Sequence, residues 1–146
     1  MRLPIDHLFL ALLIGGLGWF ISGDIYCITS ALIARWCIDA DHICDFLLYT
    51  IQSKKLNLTF IGNGQYIKIK NRIIGLLHSW ELSFLLLLLG IFTPEYRATL
   101  ISTAIAHAAH SSHDQRTYWV RILGHPLISR MKQGFAYKGF CRVGND

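Results

Sequence analysis

The stretch Ile73-Ile-Gly-Leu-Leu-His-Ser-Trp-Glu-Leu-Ser-Phe-Leu-Leu-Leu-Leu-Leu-Gly-Ile-Phe92 has the length to cross a lipid bilayer unaided. About 20 mostly apolar residues in a helix span the roughly 30 Å of a bilayer's hydrocarbon. Three other apolar stretches accompany it: Leu8 to Ile21, Ile25 to Ile38 with a continuation from Ile43 to Ile51, and Ala98 to Ala109. The first reaches spanning length if Pro4 to Leu8 joins the helix. The last is short and suits a half-buried or bundle-core helix. The pattern predicts an all-α, membrane-embedded bundle of about four helices, forming one domain over residues 1–146.

Composition agrees. Hydrophobic residues make up 53% of the 146 and charged residues only 16%, against roughly 25% charged in an ordinary soluble domain; the mean hydropathy is +0.39. The net charge of +5 does not point to nucleic acid, because the basic residues form no dense stripe with interleaved aromatics. The N-terminus superficially resembles a signal peptide, but Asp6 and His7 precede the run Leu8 to Ile14 and no clean small-x-small site follows, so a retained first helix is expected. Cys27, Cys37, Cys44 and Cys141 form no C-x-x-C pair, which argues against a thiolate zinc site and for reduced packing cysteines.

The connections set the topology. Ser22-Gly23-Asp24 reads as a tight turn with capping chemistry. Thr93-Pro94-Glu95 reads likewise, with Thr93 as cap and Pro94 at the first helical position. Residues 52–72 are polar and basic, and Leu56–Phe60 and Tyr66–Lys70 alternate around Gly62-Asn-Gly64, which predicts a small β-hairpin or loop outside the membrane. Residues 115–146 carry six basic residues and several aromatics, suited to an interfacial segment. If the first helix starts in the cytoplasm, Arg2, the five basic residues of 52–72 and the six of 115–146 share that side, twelve of the fourteen. The positive-inside rule therefore predicts a multi-pass protein of the inner (cytoplasmic) membrane with both termini cytoplasmic.

That topology gathers the histidines and most carboxylates at one face: Asp6 and His7 before the first helix, Asp39, Asp41, His42 and Asp45 after the second, His78 and Glu81 early in the third, and His107, His110, His113 and Asp114 at the end of the fourth. Ionisable residues at membrane depth are costly and usually functional. Asp39, His42 and Asp45 share a helical face through i,i+3 steps, Asp41 shares another with Asp45, and His110 and Asp114 are i,i+4. Carboxylate–imidazole pairs at these steps recur in helical-bundle metal sites and suit zinc, manganese or iron. The competing readings are plain: Asp39 and Asp41 as helix-end caps, His78 as a buried histidine bonded to Glu81, and His107, His113 and His125 as bystanders. No G-x-S-x-G or P-loop motif is present.

The order of these motifs resembles that of the membrane-bound metal-dependent hydrolases, a group distantly similar to bacterial zinc-dependent phospholipase C. The elements are His7 before the first apolar helix, Asp39-Ala-Asp-His42, His78-Ser79 opening a long apolar helix, and His110-Ser-Ser-His-Asp114, together covering residues 4 to 115. Ile38 stands where the group usually has proline before the first aspartate, and Asn71-Arg72 stands near the group's H-R dipeptide without its histidine. The resemblance implies a divalent metal, zinc foremost, held by His42, His78, His110 and Asp114 with Asp39 or Asp41 completing the set. Asp41 and Glu81 are the expected catalytic carboxylates, Glu81 orienting His78 or acting as general base on water. The implied activity is hydrolysis of an ester or phosphoester, plausibly lipid-derived, with membrane lipid as partner. The alternative is a non-enzymatic membrane protein with a structural or sensory metal site, or a polar network that pins helices; the missing H-R dipeptide favours it. A b-type haem on two histidines is a third reading, disfavoured by the crowd of carboxylates.

Overall fold

The computed structural model describes residues 5–54, 56, 72, 74–117 and 126–136, with side chains for residues 7–54, 56, 72, 74–115 and 126–136. Among these the chain is helical, with no strand. The helices are α1 (Ile5–Ser22), α2 (Tyr26–Ser53), α3 (Trp80–Phe92), α4 (Arg97–Thr117) and the short α5 (Leu127–Lys132), with a 3-10 turn at Pro94–Tyr96. Residues 57–70 of the proposed hairpin, Cys141 and His125 lie outside the described residues.

Four helices form the bundle: α1 packs on α2 and α4, α2 on α4, and α3 on α4. The α1–α2 turn is built as its residues require. Gly23 takes φ +74, a conformation natural to glycine, and Asp24 accepts the Tyr26 amide at 2.9 Å while its other oxygen accepts the Thr99 hydroxyl from α4 at 2.6 Å. Farther along, α1 meets its neighbours through glycine. A Cβ on Gly15 would lie 2.7 Å from the Ile28 Cα and 2.9 Å from the Cys27 carbonyl oxygen, and one on Gly18 would collide with Ser102. Gly18 thus lies level with Cys27 and Ser102 while His7 meets Asp114, so α1 runs antiparallel to both α2 and α4.

Most of the buried apolar residues are small: Ala11, Cys27, Ala31, Ala104 and Ala106 are buried, with Ile38, Phe46 and Tyr49 as the larger exceptions on α2. Phe9, Phe20, Ile21, Trp36, Ile51 and Phe92 face outward, Phe20 at 85% exposure and Phe92 at 78%.

Three expectations change. First, the two apolar stretches of 25–51 merge into one helix of 28 residues, about 42 Å long at 1.5 Å per residue. Asp39 to Asp45 therefore sit within the helix rather than after it. Second, Ile73 to Phe92 is not one helix: α3 begins only at Trp80 and has 13 residues, or about 20 Å. Gly75 adopts φ +47, and side chains from elsewhere capture the peptide groups of 74–78, which removes the need for helical hydrogen bonds there. As a result, no single helix among the described residues is long and apolar enough to cross a membrane; Trp80–Phe92 and Pro94–Gln115 reach that length together but bend by 118° at the break. Third, Thr93 does not cap the following helix through its side chain; its hydroxyl donates back to the Leu89 carbonyl at the end of α3. The cysteines Cys27, Cys37 and Cys44 are free thiols, and only Cys27 is buried.

Candidate metal centre

Three of the four bundle helices and the loop before α3 each bring polar side chains to one end of the bundle. On α2, the i,i+4 pair Asp41 and Asp45 turns toward the 74–78 loop. Asp45 accepts the Ile74 amide at 3.1 Å. The Asp41 Oδ2 accepts the amides of Leu77 and His78, the latter at 3.1 Å, and lies 3.4 Å from His78 Nδ1. This loop has no regular structure of its own, so these carboxylates define where His78 stands. His107 on α4 adds to the frame: its Nδ1 meets the Ser83 hydroxyl and its Nε2 the Leu77 carbonyl, both at 2.7 Å. Both nitrogens of His107 are thereby used, which fits the bystander reading.

With Nδ1 of His78 turned to Asp41, its Nε2 points into the cluster. His78 Nε2 lies 3.4 Å from Asp114 Oδ2. His110 Nε2 lies 3.2 Å from the same oxygen and 3.5 Å from Asp39 Oδ1. His7 Nε2 stands 3.4 Å from the other Asp114 oxygen, its ring 4.2 Å from that of His110 and 4.5 Å from that of His113. Two sets of possible ligand atoms emerge, each within 4.8 Å of one another: Asp39, His78 and His110, and His7, His110 and Asp114.

These separations carry chemical information. Four donors about 2.0–2.1 Å from a tetrahedral ion lie about 3.3–3.4 Å apart. The contacts above fall around that value. They are also poor hydrogen bonds: the buried Nε2 atoms of His78 and His110 have no hydrogen-bond partner, although buried polar groups are almost always paired. Orphaned imidazole nitrogens facing carboxylate oxygens at ligand–ligand spacing fit a divalent cation. The His78 Nδ1–Asp41 contact matches the outer carboxylate that orients a metal-binding histidine.

Electrostatics favours a positive charge at this point. Burial pushes His110 down, but Asp114 and Asp39 outweigh it and raise its pKa to about 9. Asp114 is likewise pushed up by burial yet held far below the usual carboxylate range by His110 and His78. His42 and His7 are lowered, mainly by burial, and so present neutral imidazole.

Of the seven residues singled out from the sequence, Asp39, His78 and His110 fall in one set of possible ligand atoms, and His110 and Asp114 fall in the other with His7. His42 stands beside His78, ring centroids 5.0 Å apart, but outside both ligand sets. Asp41 acts on His78 rather than on an open position. Glu81 does not orient His78 here: its carboxylate accepts the amides of Leu127 at 2.9 Å and Ile128 at 3.1 Å, capping α5. Burial alone would raise its pKa, but these amides and nearby Arg130 lower it. Two residues enter that sequence reasoning did not assign from spacing: His7, whose position before an apolar run was its only signal, and Arg130, which had none. No protein-family model matches this chain, and no curated protein or solved structure matches it.

Proposed function

We propose that this chain is a membrane-embedded, metal-dependent hydrolase-like protein acting on an ester or phosphoester, plausibly lipid-derived, at the cytoplasmic face of the inner membrane. The observation that carries the metal reading is that His78 Nε2 and His110 Nε2, buried with no hydrogen bond, lie 3.4 and 3.2 Å from Asp114 Oδ2, with Asp39 Oδ1 3.5 Å from His110 Nε2. The donor set of imidazole and carboxylate suits zinc first, then manganese or iron.

Membrane embedding is supported by the inverted distribution of residues. Small side chains let helix backbones approach closely in lipid, whereas a soluble monomer rarely exposes a broad apolar surface. Here alanine and glycine line most helix contacts and many large apolar residues face out, although Ile38, Phe46 and Tyr49 are buried. The cluster lies at the His7 end of α1, past the apolar stretches of α1 and α4 and between the two apolar stretches of α2.

A divalent ion held there would polarise the ester or phosphoester and make water acidic enough to ionise near neutral pH. The chain's own residues do the rest. His78 and His110 would hold the ion through Nε2, with Asp114 or Asp39 beside them, while Asp41 would orient the His78 ring from its Nδ1 side. Asp39, with its side chain 48% exposed, is the carboxylate of the set that faces solvent. It is therefore the group best placed to accept a proton from water or to meet an incoming headgroup.

One observation favours the second reading, a metal site without turnover: Asp41 and Glu81, the expected catalytic carboxylates, are both occupied by backbone amides. Detergent-purified protein, loaded with zinc and assayed on phosphoester and carboxylic ester lipids, separates the two. Hydrolysis lost in Asp39→Asn supports the enzyme. Bound zinc with no turnover on either class supports the structural or sensory site.

A further inference from the structure

The segment 126–136 lies across the 72–81 stretch and holds it at three points. The Ala136 backbone pairs with Arg72 in an isolated antiparallel bridge. Glu81 accepts the first two amides of α5. Between them Arg130, 3% exposed, donates from Nη1 to the Ile74 carbonyl at 2.8 Å and to the Gly75 carbonyl, and from Nη2 to the His78 carbonyl at 3.0 Å. A guanidinium is suited to this task because its donors form a rigid planar fork, which lysine lacks.

The acceptors of this fork matter. Asp41 and Asp45 take the amides of 74, 77 and 78, and His107 takes the carbonyl of Leu77. Arg130 takes carbonyls on either side, those of Ile74 and His78 and, shared with the His78 amide, that of Gly75. A non-helical, part-buried loop is held by such partners. Arg130 supplies three of them from a segment distant in sequence.

We propose that Arg130 is the positioning residue of the metal centre, and that the 126–136 segment is a strap that makes His78 competent to bind the ion. This rests on the metal reading above. Arg130 touches neither the ion's position nor a substrate; it acts through the backbone of His78. Residues that orient a ligand from behind typically change metal affinity by about 10- to 100-fold.

The test is a double-mutant cycle on zinc affinity, measured by chelator competition on the full chain in detergent. Arg130→Gln should weaken zinc binding by roughly 10- to 100-fold, and Arg130→Lys, which keeps the charge but not the fork, by less. Cobalt bound in place of zinc should show an altered visible spectrum in Arg130→Gln, reporting a displaced imidazole. Because Arg130 works only through His78, Arg130→Gln should cost little further affinity in a His78→Ala background. Wild-type zinc affinity in Arg130→Gln would overturn the proposal, as would losses that multiply in the double variant, which mark a general structural role. Should Arg130→Gln not fold, the same cycle run with Arg130→Lys decides by the same criteria. A wild-type chain that takes up no zinc overturns the metal reading itself, and is distinguishable from failure of the strap alone.

Discussion

His78 and His110 show how a polar side chain acquires a role through the groups behind it. Each Nε2 faces Asp114 Oδ2, yet only His78 has a carboxylate, Asp41, near its second nitrogen. Replacing His78 or His110 with alanine should reduce zinc affinity by at least 100-fold, measured by chelator competition, whereas His107→Ala should instead lower thermal stability, by about 1–3 kcal/mol for the orphaned partners. A pH dependence follows from His110. Its folded pKa, about 9, exceeds the ordinary 6.5, so in the ion-free chain its pairing with Asp114 contributes stability that is fully present below about pH 6.5 and lost as pH rises through 9. Burial lowers the neighbouring His78, but Asp114 and Asp41 outweigh it and raise its pKa too. Zinc must displace the His110 proton at least, so apparent affinity should climb by at least roughly tenfold per pH unit from 6.5 toward 9; a flat profile would contradict this assignment. At this scale the sequence was partly legible. The i,i+4 step from His110 to Asp114 announced a shared face, and Asp39-Ala-Asp-His42 announced a polar turn of helix. Which carboxylate meets which imidazole was not legible, because that depends on a 74–78 loop whose shape is dictated by Asp41, Asp45 and Arg130.

Helix boundaries show where local pattern stops being decisive. The apolar stretches located α1, the first half of α2 and the apolar part of α4, and Ser22-Gly23-Asp24 turned as its residues imply. The failure came at Ile74 to Leu77, held open by long-range hydrogen bonds. Such partners lie about 30 residues or more away and leave no trace in local spacing. The merging of two apolar stretches into α2 has the opposite cause: Asp39 to Asp45 find partners on α4 and the loop, so they need not end the helix. Element contacts give a sharp prediction. Gly15 abuts the α2 backbone, while a Cβ on Gly16 would meet nothing within 4 Å. Gly15→Ala should destabilise the fold by about 1–3 kcal/mol through overpacking, and Gly16→Ala should be neutral or stabilising by up to about 1 kcal/mol through helix propensity. Thermal denaturation of the two variants checks it, and equal effects would sink the packing assignment.

Across the whole molecule, mostly small residues inside and many large apolar residues outside sit next to a polar cluster rich in histidine and aspartate. The clustering of ionisable residues between apolar stretches was visible in the sequence; which apolar side chains turn inward was not. The 118° bend between α3 and α4 was not, nor was the return of the 126–136 strap to the His78 loop. If the outward-facing apolar surface meets lipid, the expressed chain should stay with the membrane pellet after alkaline carbonate extraction, and release into the supernatant would count against embedding. The central claim is the ion itself, and elemental analysis of the detergent-purified full chain tests it most directly. The account predicts at least one zinc, manganese or iron per chain in the wild type and its loss in a His110→Ala chain that remains folded. Wild-type protein that holds no transition metal, even after exposure to excess zinc and removal of the unbound ion, would contradict it.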